Sequence, residues 1–294
     1  SSEYRGHVDA ALAYMREHDI MSRIWKHDHT VWSDDPTEIT NRLGWLHSPE
    51  VMEDAVEDIN AFVDQVKSDG FDNVLLLGMG GSSLAPELFR LTFGVKDGHP
   101  DLAVLDSTDP GAVLAHHKRL DLSKTLFVVA TKSGGTAETL SFFKYFYNET
   151  SKVVGPEKVS RQFVAITDPG SKLEKPAADL NFRKIFLNDP YNGGRYSALS
   201  YFGLVPAALT GVDIRKLLDR ASIMARNCDG AEGDNTGAIL GAIMGQLALQ
   251  GRDKLTLIAS PPIAAFGAWA EQLIAESTGK NGVGILPVLS AISC

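Results

Sequence analysis

Four short, nearly unbroken apolar runs constrain this chain most: VLLLG (74–78), LAVLD (102–106), TLFVVA (125–130) and FVAIT (163–167). A strand with one wet face alternates apolar and polar residues. A run without alternation needs cover on both faces, which is how buried parallel strands read. Between these runs lie SLAPELFRLTF, DPGAVLAHHKRL, TAETLSFFKYFYNE and PGSKLEKPAADL, all with helical patterning. Strand–helix alternation predicts an α/β fold with a doubly wound parallel sheet. RKIFL (183–187) is a candidate fifth strand.

The texture differs on either side. Residues 1–70 read as an N-terminal helical extension, with helices in DAALAYMREH and EDAVEDINAFVDQVKSDG and a stop at Gly70. The polar-aromatic segment RIWKHDHTVWSDDPTEITNRLGWL between them is expected to wrap the α/β unit, its tryptophans serving as packing anchors. Residues 71–196 form the first α/β domain. Residues 197–294 begin as a helical connection (ALSYFGLVPAAL, IRKLLDRASIMARN, GAILGAIMGQLALQ). KLTLIAS (254–260) and PIAAFGAWAEQLIAEST then start a second, incomplete α/β unit.

Composition narrows the partners. A net charge of −9 disfavours nucleic acid, which rewards a basic face. No apolar run approaches the ~20 residues that span a bilayer, and the first residues do not read as a signal peptide. Cys228 and Cys294 are too few for a disulfide framework, so a reducing cytoplasm is expected.

Two loops carry the chemistry. GMGGSS (78–83) follows the first strand and opens a helix, where unpaired amides and a partial positive charge suit an anion. Gly81 lets the backbone approach closely, and Ser82 and Ser83 can donate. A dinucleotide fingerprint would need glycine where Ser83 stands, although Asp106 occupies the place of a ribose-binding acid. ATKSGGTAET (130–139) follows the third strand with Thr131, Lys132, Ser133 and Thr136 around two glycines. An ordinary turn needs fewer polar groups. Neither loop contains the Gly-Lys-Ser/Thr of a Walker loop. Their convergence predicts a site for a phosphorylated small molecule.

GMGGSSLAPEL, ATKSGGTAETL, NGGRYSALS and EQLIAESTGKNGVGILPV, in that order, resemble the sugar isomerase superfamily and within it phosphoglucose isomerase. RIWKHDHTVWSDDPTEITNRLGWL resembles the lead-in to the isomerase part of bifunctional transaldolase/phosphoglucose isomerase proteins. The resemblance implies a flavodoxin-like sugar isomerase fold and cofactor-free interconversion of glucose 6-phosphate and fructose 6-phosphate. It implies Gly81, Ser82 and Gly194 as substrate-binding residues and Thr131, Lys132, Ser133 and Thr136 as the phosphate loop. It implies Arg195, Gln272 and Glu276 as catalytic residues, no metal, and a homodimer or larger homo-oligomer, or covalent fusion to a transaldolase.

Departures are visible. Gly134 and Gly135 stand where the family carries hydroxyls, and Asn192 precedes Gly-Gly-Arg where an aliphatic residue is common. The family's ring-opening histidine and a further lysine lie beyond the glutamate, and no histidine follows Glu276 here. The expectation is an isomerase unit lacking its C-terminal segment, or a phosphosugar-binding module that does not turn its ligand over.

The residues suit the chemistry. Moving a proton between C1 and C2 needs a base facing both carbons and a cation near the oxyanion. Glu276, at the end of AAFGAWAEQLIAE, is expected to be partly buried. Gln272 precedes it by one helical turn, on the same face. Arg195 stays charged and presents a planar fork of donors. Lys280 reads as a solvated loop residue, His116 and His117 as part of an exposed face; His27 and His29 have no assigned role.

Overall fold

The computed structural model describes residues 2–230 and 235–289; Cys294 lies outside them. The N-terminal part comprises α1 (Ser2–Glu17), α2 (Ile20–Trp25), α3 (Ser48–Val51) and α4 (Val56–Ser68). Gly70, at φ 77°, lets the amides of Gly70 and Phe71 bond back to the Lys67 and Val66 carbonyls (3.1 and 3.4 Å), so the expected stop is a glycine C-cap.

The sheet follows: β1 (Asn73–Gly78), α5 (Gly81–Phe93), β2 (Asp101–Leu105), α6 (Pro110–Arg119), β3 (Thr125–Ala130), α7 (Ala137–Val154), β4 (Phe163–Thr167), α8 (Glu174–Asp179) and β5 (Lys184–Leu187). All pairings are parallel, in the order β2-β1-β3-β4-β5. This is the doubly wound sheet, and RKIFL supplies its fifth strand. Helix α8 is shorter than its pattern suggests.

The unbroken apolar runs have a geometric reason. Successive strand side chains point to opposite faces. Val74, Leu76, Leu126, Val128, Val164 and Ile166 enter one buried cluster with α4 and α5. Leu75, Leu77, Phe127, Val129, Phe163 and Ala165 enter the other, against α7. Phe127 stacks on Phe163 at 4.8 Å between ring centroids. Each fully buried side chain of this size contributes roughly 1.5–3 kcal/mol.

The chain continues through α9 (Tyr201–Leu209), α10 (Ile214–Asp229), α11 (Thr236–Leu249), β6 (Lys254–Leu257), α12 (Phe266–Thr278) and β7 (Leu286–Leu289). Phe202, Leu204, Val205 and Leu218 share the apolar cluster of β1 and α4, so α9 and α10 lie against the sheet. Strands β6 and β7 pair in parallel across α12. Among the described residues no helix is long and apolar enough to cross a membrane.

Two expectations change. Trp25 donates to the Cys228 carbonyl (3.0 Å) and Trp45 stacks on Tyr196, but Trp32 is 49% exposed and only half covered. His116 and His117 are half-buried rather than exposed, and α6 turns His117 toward α7. His117 Nδ1 lies 2.7 Å from the Tyr145 hydroxyl, and His116 Nδ1 is buried without a partner.

Burial lowers the pKa of His27, His99 and His116 below the ordinary 6.5; nearby positive charge adds to it, from His47, Lys67 and Arg119 respectively. A depressed histidine binds fewer protons folded than unfolded, so its contribution is complete above 6.5 and lost as pH falls through the folded value. The melting temperature should therefore rise as pH is brought up toward 6.5 and then level. A melting temperature that falls over that interval contradicts this.

Candidate functional site

Order β2-β1-β3-β4-β5 places the topological switch between β1 and β3, where open α/β sheets bind ligands at the strands' carboxyl ends. The two predicted loops leave these two strands. They meet in a cleft of about 650 Å³, within the ~300–1,000 Å³ of small-molecule sites. Gly81, Ser82, Thr131, Lys132, Ser133, Thr136 and Gly194 all line it.

The first loop turns at Gly80 (φ 55°) into α5. Gly81 is at its closest limit: a Cβ there would overlap the Gly194 carbonyl oxygen. Space is therefore what requires this glycine. Ser83, expected as a donor, is buried and donates to the Gly80 carbonyl (3.0 Å), which leaves Ser82 as the hydroxyl on the wall. Asp106 is exposed and does not line the cleft, so the dinucleotide alternative lacks its acid.

The second loop is held by its own hydroxyls. Thr136 stands at the N-cap of α7, yet its Oγ1 lies 3.1 Å from Thr131 Oγ1 and makes no capping bond. By contrast, Asp109 and Asp213 cap α6 and α10 with their side chains. The first turn of α7 thus presents amides and the positive end of its dipole to an outside acceptor. Gly134, at φ 67°, packs its backbone against the Leu173 amide, where a side chain would overlap.

Lys132 lines the cleft, and its ammonium is ion-paired with Asp168 and donates to the Pro190 carbonyl (2.8 Å). Burial pushes the Asp168 carboxyl up from its usual range, with Lys132 pulling against it.

Arg195, Gln272 and Glu276 do not line the cleft but sit against it. Gln272 Nε2 would be 3.1 Å from a Cβ on Gly80, so it overlies the first loop. Arg195 lies 3.2 Å from a Glu276 oxygen and donates from Nε to Ser277 Oγ (2.8 Å). Ser277 also bonds the Tyr196 hydroxyl (2.8 Å), and Trp45 stacks on Tyr196 at 4.8 Å. Glu276 is only half covered: its side chain is 50% exposed, because it ends α12 on the open side of the ion pair. Lys280 donates to the Glu276 carbonyl (2.7 Å), a favourable place for a cation at a helix C-terminus. Asn192 is buried and donates to Ser48 Oγ (2.9 Å), tying the glycine–arginine loop to the start of α3.

Several residues of the site carry little signal in the sequence. Asn41 and Arg42 reach the cleft from the wrap, which showed no signal beyond aromatic packing. Asp168 opens the loop after β4; its place at a strand's carboxyl end was a usable signal. Ser277 and Tyr196 were hidden beside the residues they position.

Fold and site together define a doubly wound α/β protein with an anion-suited cleft at the switch point. The phosphoglucose isomerase profile matches residues 44–285. A protein of Methanococcus maripaludis named "Probable glucose-6-phosphate isomerase" is 34% identical over 261 residues, covering 86% of this chain and 57% of its own length. The glucose-6-phosphate isomerase of Carboxydothermus hydrogenoformans is 33% identical, covering 81% of this chain and 53% of itself. A hypothetical protein of Thermus thermophilus superimposes with a TM-score of 0.81 at 25% identity, covering 98% of this chain and 68% of that one. The glucose-6-phosphate isomerase of Chlamydia trachomatis shares the fold, with a TM-score of 0.79 at 18% identity over 97% of this chain and 61% of that one. This chain belongs to the phosphoglucose isomerase family, and it spans about half the length of the curated relatives it matches.

Proposed function

We propose that the chain interconverts glucose 6-phosphate and fructose 6-phosphate through a cis-enediolate. Ser82, Ser133 and Thr136, with the first amides of α7, hold the phosphate. The sugar extends past Gly194 toward α12. Glu276 takes the proton from C2 and returns it to C1. Arg195 faces the oxyanion with a fixed positive charge, and Gln272 orients the hydroxyls. The step needs no external oxidant, because the aldehyde carbon is reduced as C2 is oxidised.

One observation carries this reading. Both loops and Gly194 line a single cleft, while Arg195, Gln272 and Glu276 come from the turn and helix packed against it. Mixing the protein with glucose 6-phosphate in heavy water tests it. Deuterium at C2 with formation of the ketose supports the isomerase. Saturable binding without exchange supports a phosphosugar-binding module instead. That second reading is favoured by the position of Glu276, which is paired with Arg195 outside the cleft wall.

Ser133→Ala and Thr136→Ala should each cost about 1.5–3 kcal/mol of affinity for a phosphorylated sugar and leave an unphosphorylated one almost unaffected. Titration calorimetry with glucose 6-phosphate and glucose checks this; equal losses for both sugars contradict it.

The domain division at residues 70 and 196, a homo-oligomeric state, fusion to a transaldolase and a cytoplasmic location belong to the same reading. They are supported by the order of the motifs and by the wrap segment's resemblance to the bifunctional proteins.

A further inference from the structure

The cradle's own lysine is already occupied. The Lys132 ammonium bridges Asp168 and the Pro190 carbonyl, and the Asp168 side chain is only 13% exposed. Releasing Lys132 to an incoming anion would leave that carboxylate buried without its cation. Arg42, the other cation on the wall, donates to Glu38 (2.6 Å) and to the Asn41 carbonyl (3.0 Å).

Lys172 is differently placed. Its amide donates to the Ser133 carbonyl (3.2 Å), fixing the base of the side chain beside the hydroxyl loop. The side chain runs across Gly135: a Cβ there would be 3.3 Å from Lys172 Cδ and 3.7 Å from Nζ. Ser133 Oγ is 3.7 Å from the same point. Nζ makes no hydrogen bond or ion pair with any described residue. Gly135 lies between Ser133 and Thr136, both on the cleft wall. A hydroxyl-bearing residue at 135 would press into the lysine stem, whereas glycine leaves the ammonium its place.

We propose that Lys172 supplies the positive charge of the phosphate cradle, in the space that Gly135 leaves beside Ser133, and that Lys132 is a strut joining the hydroxyl loop to the loop that carries Gly194. The inference rests on the reading of the cleft as a phosphosugar site. A flexible four-carbon stem lets the ammonium swing onto a phosphate oxygen. Asp168 acts through Lys132 as a positioning residue.

Titration of glucose 6-phosphate and inorganic phosphate into wild type, Lys172→Met and Lys172→Arg separates the possibilities, with melting temperatures recorded for each. The expected result is a loss of about 10- to 100-fold in affinity for both ligands in Lys172→Met. Its binding should also depend less on salt, with most of the affinity restored in Lys172→Arg and melting unchanged. Wild type that binds glucose 6-phosphate equally with Lys172→Met overturns the role of Lys172 and leaves the reading of the cleft intact. Wild type that binds neither ligand overturns both.

Discussion

Glu276→Gln should lower proton exchange at C2 of glucose 6-phosphate by about 10²- to 10⁴-fold, the range for losing a general base. Affinity for the sugar phosphate should change little, since the cradle lies on the other loops. The amide keeps the size of the carboxylate and can still face Arg195, 3.2 Å away in the wild type. What it loses is the ability to accept the proton. On the proposed reading, a bound sugar phosphate completes the site beside this half-exposed carboxylate, displacing water and competing for Arg195. Exchange is read by proton NMR in heavy water. Exchange at the wild-type rate in Glu276→Gln removes this residue from the role.

Gly81→Ala should damage both packing and function. A methyl there would overlap the Gly194 carbonyl, a backbone atom with little room to yield. Overpacking of this kind costs about 1–3 kcal/mol. At ~2–4 °C per kcal/mol, the melting temperature should drop by several degrees. Function should suffer more than stability, because this contact joins the first loop to the glycine–arginine turn. Separating them shifts Ser82 and Arg195 together, and displacements near 1 Å cost about 10²-fold in rate. Gly194→Ala is the control for melting alone, because a Cβ on Gly194 meets nothing within 4 Å. Wild-type activity and melting in Gly81→Ala contradict the packing argument.

Much of the fold was legible because burial leaves a direct trace. Runs such as VLLL and LFVV are continuous since residues 74 and 76 face one cluster while 75 and 77 face the other. The loops were legible because glycine and hydroxyl residues interrupt those runs at strand ends. What could not be read was pairing across distance. Lys132 looks like a free cation in ATKSGGTAET, and only the fold brings Asp168 and Pro190 to it. Glu276 ends an apolar helix, which suggests burial, but its own face of α12 opens at the ion pair with Arg195. The wrap's tryptophans look alike in sequence, yet Trp45 finds Tyr196 beside the site while Trp32 stays half-exposed. The histidine at 117 follows the same rule: its neighbours in three dimensions, Tyr145 and Phe146 of α7, decide its exposure.

The most direct test of the central claim is a crystal structure of the protein with glucose 6-phosphate bound. The account predicts the phosphate between Ser133 and Thr136 at the start of α7, with C1 and C2 turned toward Glu276. A phosphate bound elsewhere, or a sugar whose C1 and C2 point away from α12, would contradict it.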